Sequence, residues 1–391
     1  MKYFSMPADF KKETLEDYEK LNNRYPDSRV IETYGNITRG NFLESSRSIN
    51  FLPEINFAAL EEYIAYSREK NIQFDYTLNA LHMHNMEFSR QGVMEIVNFL
   101  SKLYRVGVRH LTVALPSLVE IIQAAGLDFN IKASVITQVT NAEKARFCKE
   151  MGIDKIVVDE SVNRDFQTLK RIRDTFGENI EIIVNSICHK NCTYRMFHYG
   201  QIACDSVKTT SQASTDYYNH KCLLRRYKNS SALLKMTWVR PEDIKFYTSV
   251  GINYFKIQGR HTVQEGDPVR AVECYFNESF HGDLLELLDL FNPTTHFKVS
   301  LDNKSLDGFI EPFVRGEHFC KNHCSSCGYC EQFARKCLDS KEINRVYREA
   351  AEYFRQCDQF QTLLQSIKTG GAHPGTKNDS FKEIEADFDL N

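Results

Sequence analysis

Short apolar runs alternate with longer stretches of helical periodicity through most of the chain. Strands are predicted over 30–34, 74–78, 110–115, 131–136, 155–159, 180–184, 233–238 and 254–258. Between them the apolar positions recur at three- and four-residue steps. This spacing predicts helices over 57–69, 89–104, 117–125, 142–151, 163–176, 241–250 and 269–280. The punctuation agrees. Asn141 stands where a helix N-cap is needed and Gly152 where that helix must stop. Pro241 suits a first helical turn, and Gly251 the exit of the same helix. Strand and helix in regular alternation imply parallel βαβ units, and eight of them match a (β/α)8 barrel over residues 29–285. A doubly wound open sheet is the alternative, because alternation does not show closure.

The ends of the chain read differently. Residues 1–28 are polar and helix-like, a leader or cap before the barrel. After Phe280 the pattern weakens. Residues 297–340 form a small cysteine-rich module, 341–368 one amphipathic helix, and 369–391 a flexible tail.

Composition narrows the function. Lys plus Arg is 49 and Asp plus Glu is 52, so the net charge of −3 argues against a basic coat for nucleic acid. No apolar run approaches the roughly 18 residues of a membrane span. The first residues carry no secretory signal, so a reducing cytoplasmic setting is expected. There, the 12 cysteines point to metal rather than to disulfides.

Nine of those cysteines fall into two groups. Cys188, Cys192, Cys204 and Cys222 lie on the longest connection of the barrel reading, after the sixth predicted strand. Their irregular spacing fits no simple zinc finger, but four thiolates would staple such a loop around one inorganic centre. In FCKNHCSSCGYC, Cys320, Cys324, Cys327 and Cys330 crowd into eleven residues, with Cys337 as a spare. Four thiolates so close fit a [4Fe–4S] cluster or zinc. The Cys320, Cys324 and Cys327 spacing is that of radical S-adenosylmethionine enzymes. Here, however, the motif follows the barrel and has a fourth cysteine. Cys148, Cys274 and Cys357 sit singly on helical patterns and read as core residues.

Polar residues end most of the predicted strands: Asn79, Gln138, Asp159 with Glu160, Asn185, and Lys256 with Gly259 and Arg260; Glu181 lies at the start of the sixth. In a barrel they converge on one face. Glu160, Lys256 and Arg260 are the candidate catalytic residues, the two cations suited to an anionic ligand. His82, His84, His189, His198 and His220 are weaker candidates. Arg225 and Arg226 make a local basic spot.

Three segments, SVITQVTNAEKARFCKEMGIDKIVVDES, IEIIVNSICHKNC and WVRPEDIKFYTSVGINYFKIQGR, occur in the order found in the U32 peptidase-like family, which this chain resembles over about residues 28–280. The resemblance implies a TIM-type barrel and an oxygen-sensitive [4Fe–4S] cluster. It matches Cys188 to the family's first cysteine and Cys222 with LLRRY to a late one, with Cys192 and Cys204 in the same loop. Asn185–Ser186 stands where the family has His–Gly. Members are described as collagenase-type peptidases or as oxygen-independent hydroxylation factors. The expectation is therefore an iron–sulfur modifying enzyme holding one or two [4Fe–4S] clusters, with zinc as the alternative at the later cysteines. Its substrate is a small molecule, a peptide or RNA, and its partner an electron donor or another protein. A peptidase or a non-catalytic electron-transfer partner is the alternative. No HExxH, GxSxG or convincing Cys–His nucleophile pair supports hydrolysis.

Overall fold

The computed structural model of the chain describes residues 1–43, 45, 47, 49–206, 217–316, 318–357, 360, 364–365 and 367. Eight parallel strands close into a barrel in sequence order: β1 (Lys2–Pro7), β2 (Ser28–Gly35), β3 (Gln73–Leu78), β4 (His110–Val113), β5 (Asn130–Ala133), β6 (Lys155–Val157), β7 (Ile180–Ile183) and β8 (Tyr254–Lys256). Closure is made by β1 against β8, with Tyr3 beside Tyr254 and Ser5 beside Lys256. The open-sheet alternative is thereby excluded.

Two of the expected elements change. The stretch 1–28 is not a leader: it supplies β1 and the helix Lys12–Arg24, the first βα unit, so the barrel starts at residue 2 rather than 29. β1 is buried on both faces and shows no two-residue alternation, the usual sequence character of a parallel strand. The run 233–238 is not a strand either. It is the short helix Ser231–Leu234 followed by an extended turn. Its apolar residues are buried against the later module, Trp238 packing on Phe309 with ring centroids 5.8 Å apart.

The crossover helices follow the predicted periodicity closely. Phe57–Glu69 is observed as read, and Asn141 caps Ala142–Glu150 by accepting from the Lys144 amide at 3.0 Å. The expected helix over 241–250 is a 3-10 turn, Pro241–Asp243, running into Ile244–Ser249.

After the barrel come the helices Glu311–Arg315, Cys324–Cys327, Tyr329–Cys337 and Ser340–Cys357. The last packs on the helix Tyr217–Lys228, where His220 stacks on Phe354 at 3.8 Å between centroids. Aromatic rings pack the module itself, where Phe309 meets Phe313, Tyr329 and Phe333, and Phe309 also carries the contact across to Trp238. The Arg164 guanidinium lies 4.3 Å over Trp238 and donates to the Leu234 carbonyl at 2.6 Å. Lys235 pairs with Glu331 at 2.5 Å across the same seam. The expected tail 369–391 lies outside the described residues, as does much of the expected helix beyond 357. Among the described residues no helix is long and apolar enough to cross a membrane.

Candidate active site at the barrel mouth

The inside of a parallel barrel is ordinarily packed with branched apolar side chains. Here every strand contributes a polar one. Lys132 on β5 pairs with Glu32 on β2, and lies 3.2 Å from Asp75 on β3 and 3.5 Å from Glu181 on β7. Lys155 on β6 reaches Glu181 at 3.1 Å. Ser5 on β1 donates to Glu181 at 2.5 Å, and Thr112 on β4 donates to Asp75 at 2.7 Å. Lys256 on β8 completes the ring at 3.9 Å from Glu181. Three carboxylates face three ammonium groups, so the interior is charged without being unbalanced. Burial alone would raise the Glu181 carboxyl; Lys132, Lys155 and Lys256 outweigh it and hold the group well below the ordinary range.

Lys256 is the loosest member. Its Nζ is buried and has no hydrogen-bond partner among the described residues, and it sits 3.4 Å over the Tyr34 ring. Burial, helped by Lys132, pulls its ammonium down to about 8. It faces a cavity of about 50 Å³ at the C-terminal ends of the strands, lined also by Arg260, Arg47, Tyr199, Asn79 and Ser134. This is the end where the barrel loops assemble sites. Arg260 donates to Asn36 at 2.6 Å and to Thr77 at 2.8 Å, and burial lowers it to about 9. Gly259 precedes it at φ +147°. A Cβ there would come within 2.5 Å of Leu290, so only glycine lets the strand turn into this rim.

Of the three expected catalytic residues, Lys256 and Arg260 thus share the mouth. Glu160 does not. Its carboxylate is clamped by Arg195 at 2.6 Å, while the other arm of the same guanidinium holds Asp159. Glu160 lines a neighbouring cavity of about 430 Å³ between the barrel rim and the cysteine module. Burial raises its carboxyl, Arg195 opposes this, and Asp159 adds to it. Among the other strand-end candidates, Asn185 is structural: it accepts from the Gln258 amide and donates to the Gln258 carbonyl, both at 2.7 Å, tying β7 to β8. Gln138 adopts a left-handed turn, φ +53°, and its carbonyl accepts from Lys144.

The two cysteine groups differ. Cys188 is half-buried near Glu160 and Cys222; desolvation first, then those charges, push its thiol up to about 12. Cys204 is exposed, with its Sγ 3.5 Å from His82 Nε2. Residues 207–216, between Cys204 and Cys222, lie outside the described residues. The later four, Cys320, Cys324, Cys327 and Cys330, line one cavity of about 190 Å³ together with Lys235. Lys190 donates to Cys320 Sγ at 3.6 Å. Cys337 stands apart, donating to the Ser305 carbonyl at 3.1 Å. Among the described residues no three His, Cys, Asp or Glu side chains stand close enough to grip a single metal ion. Cys148 is buried and Cys274 half-buried, as core residues; the side chain of Cys357 lies outside the description.

The histidines are mostly framework. His189 donates from Nε2 to the Cys222 carbonyl at 3.3 Å, and burial lowers it to about 4. His198 is lowered to about 4 by burial and then Arg47. His82 and His84 pack edge to face at 4.7 Å. Arg225 lines the larger cavity, and Arg226 is half-buried beside Cys222 and Tyr227.

Sequence reading missed Lys132, Glu32, Asp75, Arg195, Arg47 and Tyr199. The first three had a signal: one ionisable residue inside each apolar run RVIETY, FDYTL and NIKASVI. The last three come from loops and a rim helix, with no local pattern to mark them.

The family model described as Peptidase family U32 matches residues 48–278, more than half of the chain. The "Uncharacterized protease MJ1657" of Methanocaldococcus jannaschii is 31% identical over 342 residues, which cover 86% of this chain and 98% of that protein. Among solved structures, "The Structure of the U32 Peptidase Mk0906" superposes with TM-score 0.48 at 14% identity, covering 66% of this chain and 92% of that one. A D-psicose 3-epimerase from Clostridium cellulolyticum H10 gives TM-score 0.35 at 12% identity, over 74% and 94% of the two chains. The matched segment and the relative aligned over nearly all of its own length together place this chain in peptidase family U32.

Proposed function

We propose that the chain is an oxygen-sensitive iron–sulfur enzyme of the modifying, hydroxylation type, working in the reducing cytoplasm with an electron-donor partner. Its [4Fe–4S] cluster would sit on Cys320, Cys324, Cys327 and Cys330 and its substrate in the barrel mouth. The observation that carries the reading is the single cavity shared by those four thiols, with Lys190 on one sulfur and Lys235 in the lining. Thiolates on one zinc ion sit about 2.3 Å from the metal and close to one another. Sulfurs that share a cavity without converging on a point suit a polynuclear core better, which leaves zinc as the alternative. Cys188, Cys192, Cys204 and Cys222 suit it less well, since Cys204 is turned towards His82.

A bound cluster supplies one-electron chemistry. This chain's own residues do the rest. Lys190 and Lys235 offset thiolate charge, and Arg164 adds a third cation beside Cys320 and Cys330. Arg47 and Arg260 line the mouth and suit the anionic or carbonyl end of a ligand. The mouth is small, so a peptide or RNA would enter by one small group, whereas a small molecule would enter whole. Arg195, bound to Glu160, and Tyr199 on the same helix, Arg195–Asp205, connect the mouth with the larger cavity.

Anaerobic purification followed by iron, sulfide and zinc analysis tests the reading. Cys327→Ala is expected to lose most of the iron and labile sulfide, and Cys188→Ala to keep them. The reverse pattern would move the centre to the earlier loop. Half-losses in both would mean two clusters. Stoichiometric zinc with no sulfide would end the iron–sulfur reading.

Hydrolysis has one observation in its favour, the Cys204–His82 approach, and the M. jannaschii relative is called a protease. The same Nε2 lies 3.3 Å from the Gly200 carbonyl, which only a protonated Nε2 can satisfy. That tautomer has no lone pair at Nε2 to take the thiol proton. Peptide cleavage by metal-free protein that vanishes in Cys204→Ser would install the hydrolase reading instead.

A further inference from the structure

We infer that the Lys256 amine is a carbonyl-binding nucleophile, forming an imine with a small carbonyl compound that carries a carboxylate. The argument begins with what the side chain lacks. The other two lysines of the barrel interior are engaged, Lys132 by three carboxylates and Lys155 by Glu181. Among the described residues Lys256 has a carboxylate oxygen at 3.9 Å, the Tyr34 ring face at 3.4 Å and no hydrogen bond. A buried ammonium that makes no hydrogen bond is costly; a neutral amine in the same place costs less. The surroundings act in both directions. Burial and Lys132 lower the ammonium, and Glu181, Glu32 and Asp75 oppose them without outweighing them. Arg260 stands at the rim of the same cavity. The Tyr34 ring beneath and the barrel wall around it exclude water from one side of the nitrogen.

The other side opens into the mouth cavity. Its lining carries two guanidinium groups, Arg47 and Arg260, and the Tyr199 hydroxyl. Burial holds Tyr199 far above its ordinary value, so the hydroxyl keeps its proton and can donate. An amine that gives up its proton more readily than an ordinary lysine, flanked by cations that select a carboxylate and by a hydrogen-bond donor for a carbonyl oxygen, is a set of groups suited to an oxo acid. In the step, the Nζ lone pair adds to the carbonyl carbon and the C=O π pair moves to oxygen. A proton passes from nitrogen to that oxygen, giving a carbinolamine. Loss of one water then leaves the C=N bond. No oxidant or reductant is consumed, so the step is independent of any metal centre and of the function proposed above.

Reductive trapping tests this on the whole protein. Glyoxylate with sodium cyanoborohydride, which gives hydride to the imine carbon, should add one carboxymethyl group, located at Lys256 by peptide mapping. Its rate should rise with pH through a midpoint near 8, ahead of the surface lysines. Acetaldehyde, which lacks the carboxylate, should label Lys256 at least about tenfold more slowly if the guanidinium pair recruits the anion. Lys256→Arg keeps the charge and should abolish the fast label. If that variant does not fold, the site map and pH profile of the unmodified chain decide alone. Labelling spread evenly over surface lysines, or a fast label that survives Lys256→Arg, would overturn the inference. Loss of iron in the Cys327→Ala protein with labelling unchanged would show the two readings to be separate.

Discussion

Glu181→Ala should cost the barrel about 3–5 kcal/mol, the usual penalty for removing one partner from a buried ion pair. The residue is fully buried and is approached by three lysines and the Ser5 hydroxyl. Its loss leaves three ammonium groups in the barrel interior against two carboxylates. Unfolding free energies of ordinary domains are only about 5–15 kcal/mol, so the variant should sit near the limit of folding. Denaturant melts of Glu181→Ala and Glu181→Gln measure it; a midpoint for Glu181→Ala within experimental error of the parent would dismiss the network as a source of stability. The sign of the pH dependence follows from the direction of the shift. The folded carboxyl is held below its ordinary value of 4.5, so its contribution is complete above that value. It is lost progressively as the pH falls from there towards the folded value. The parent should therefore lose stability on acidification more steeply than Glu181→Gln, which has no proton to take up at this position.

Arg195→Ala is the second large loss, also about 3–5 kcal/mol at neutral pH. One guanidinium serves both Asp159 and Glu160, which are 0% and 1% exposed. Without it, two adjacent buried carboxylates face each other. Arg195→Lys should recover only part, because a single ammonium cannot span two acids with a planar fork. In the alanine variant Glu160, already raised by burial, loses the guanidinium that opposes the rise, so the deficit against the parent should shrink as the pH falls and it takes up a proton. Urea midpoints at neutral and mildly acidic pH, compared between parent and variant, give the result. A deficit that does not change with pH would mean that the loss comes from packing and not from charge. The substitution also loosens the helix that carries Tyr199 into the mouth, so trapping at Lys256 should slow with it.

The two cysteine groups show how far a pattern can carry. Density within eleven residues was enough to bring Cys320, Cys324, Cys327 and Cys330 around one cavity, because a short segment has few ways to separate its own side chains. The earlier four are spread over thirty-five residues of a long crossover. Their placement depends on how that crossover lies on the barrel, and proximity in the chain says little about it.

The barrel itself was readable from the chain. The alternation of apolar runs with amphipathic stretches implies parallel units whatever their neighbours, since strand and helix periods are local consequences of backbone geometry. The residues at strand ends were readable for the same reason, and Lys256 and Arg260 do meet at one rim. Closure was another matter. It rests on β1, a six-residue strand with both faces covered, whose role appears only when β8 pairs with it. The ionic ring likewise joins residues as far apart as Ser5 and Glu181. So does the pairing of Glu160 with Arg195, which removed it from the mouth where its position at a strand's end had put it. Local periodicity tells which way a side chain leaves its own strand or helix; which charge it meets across the barrel depends on shear, closure and loop path, and those arise only when all eight strands are in place.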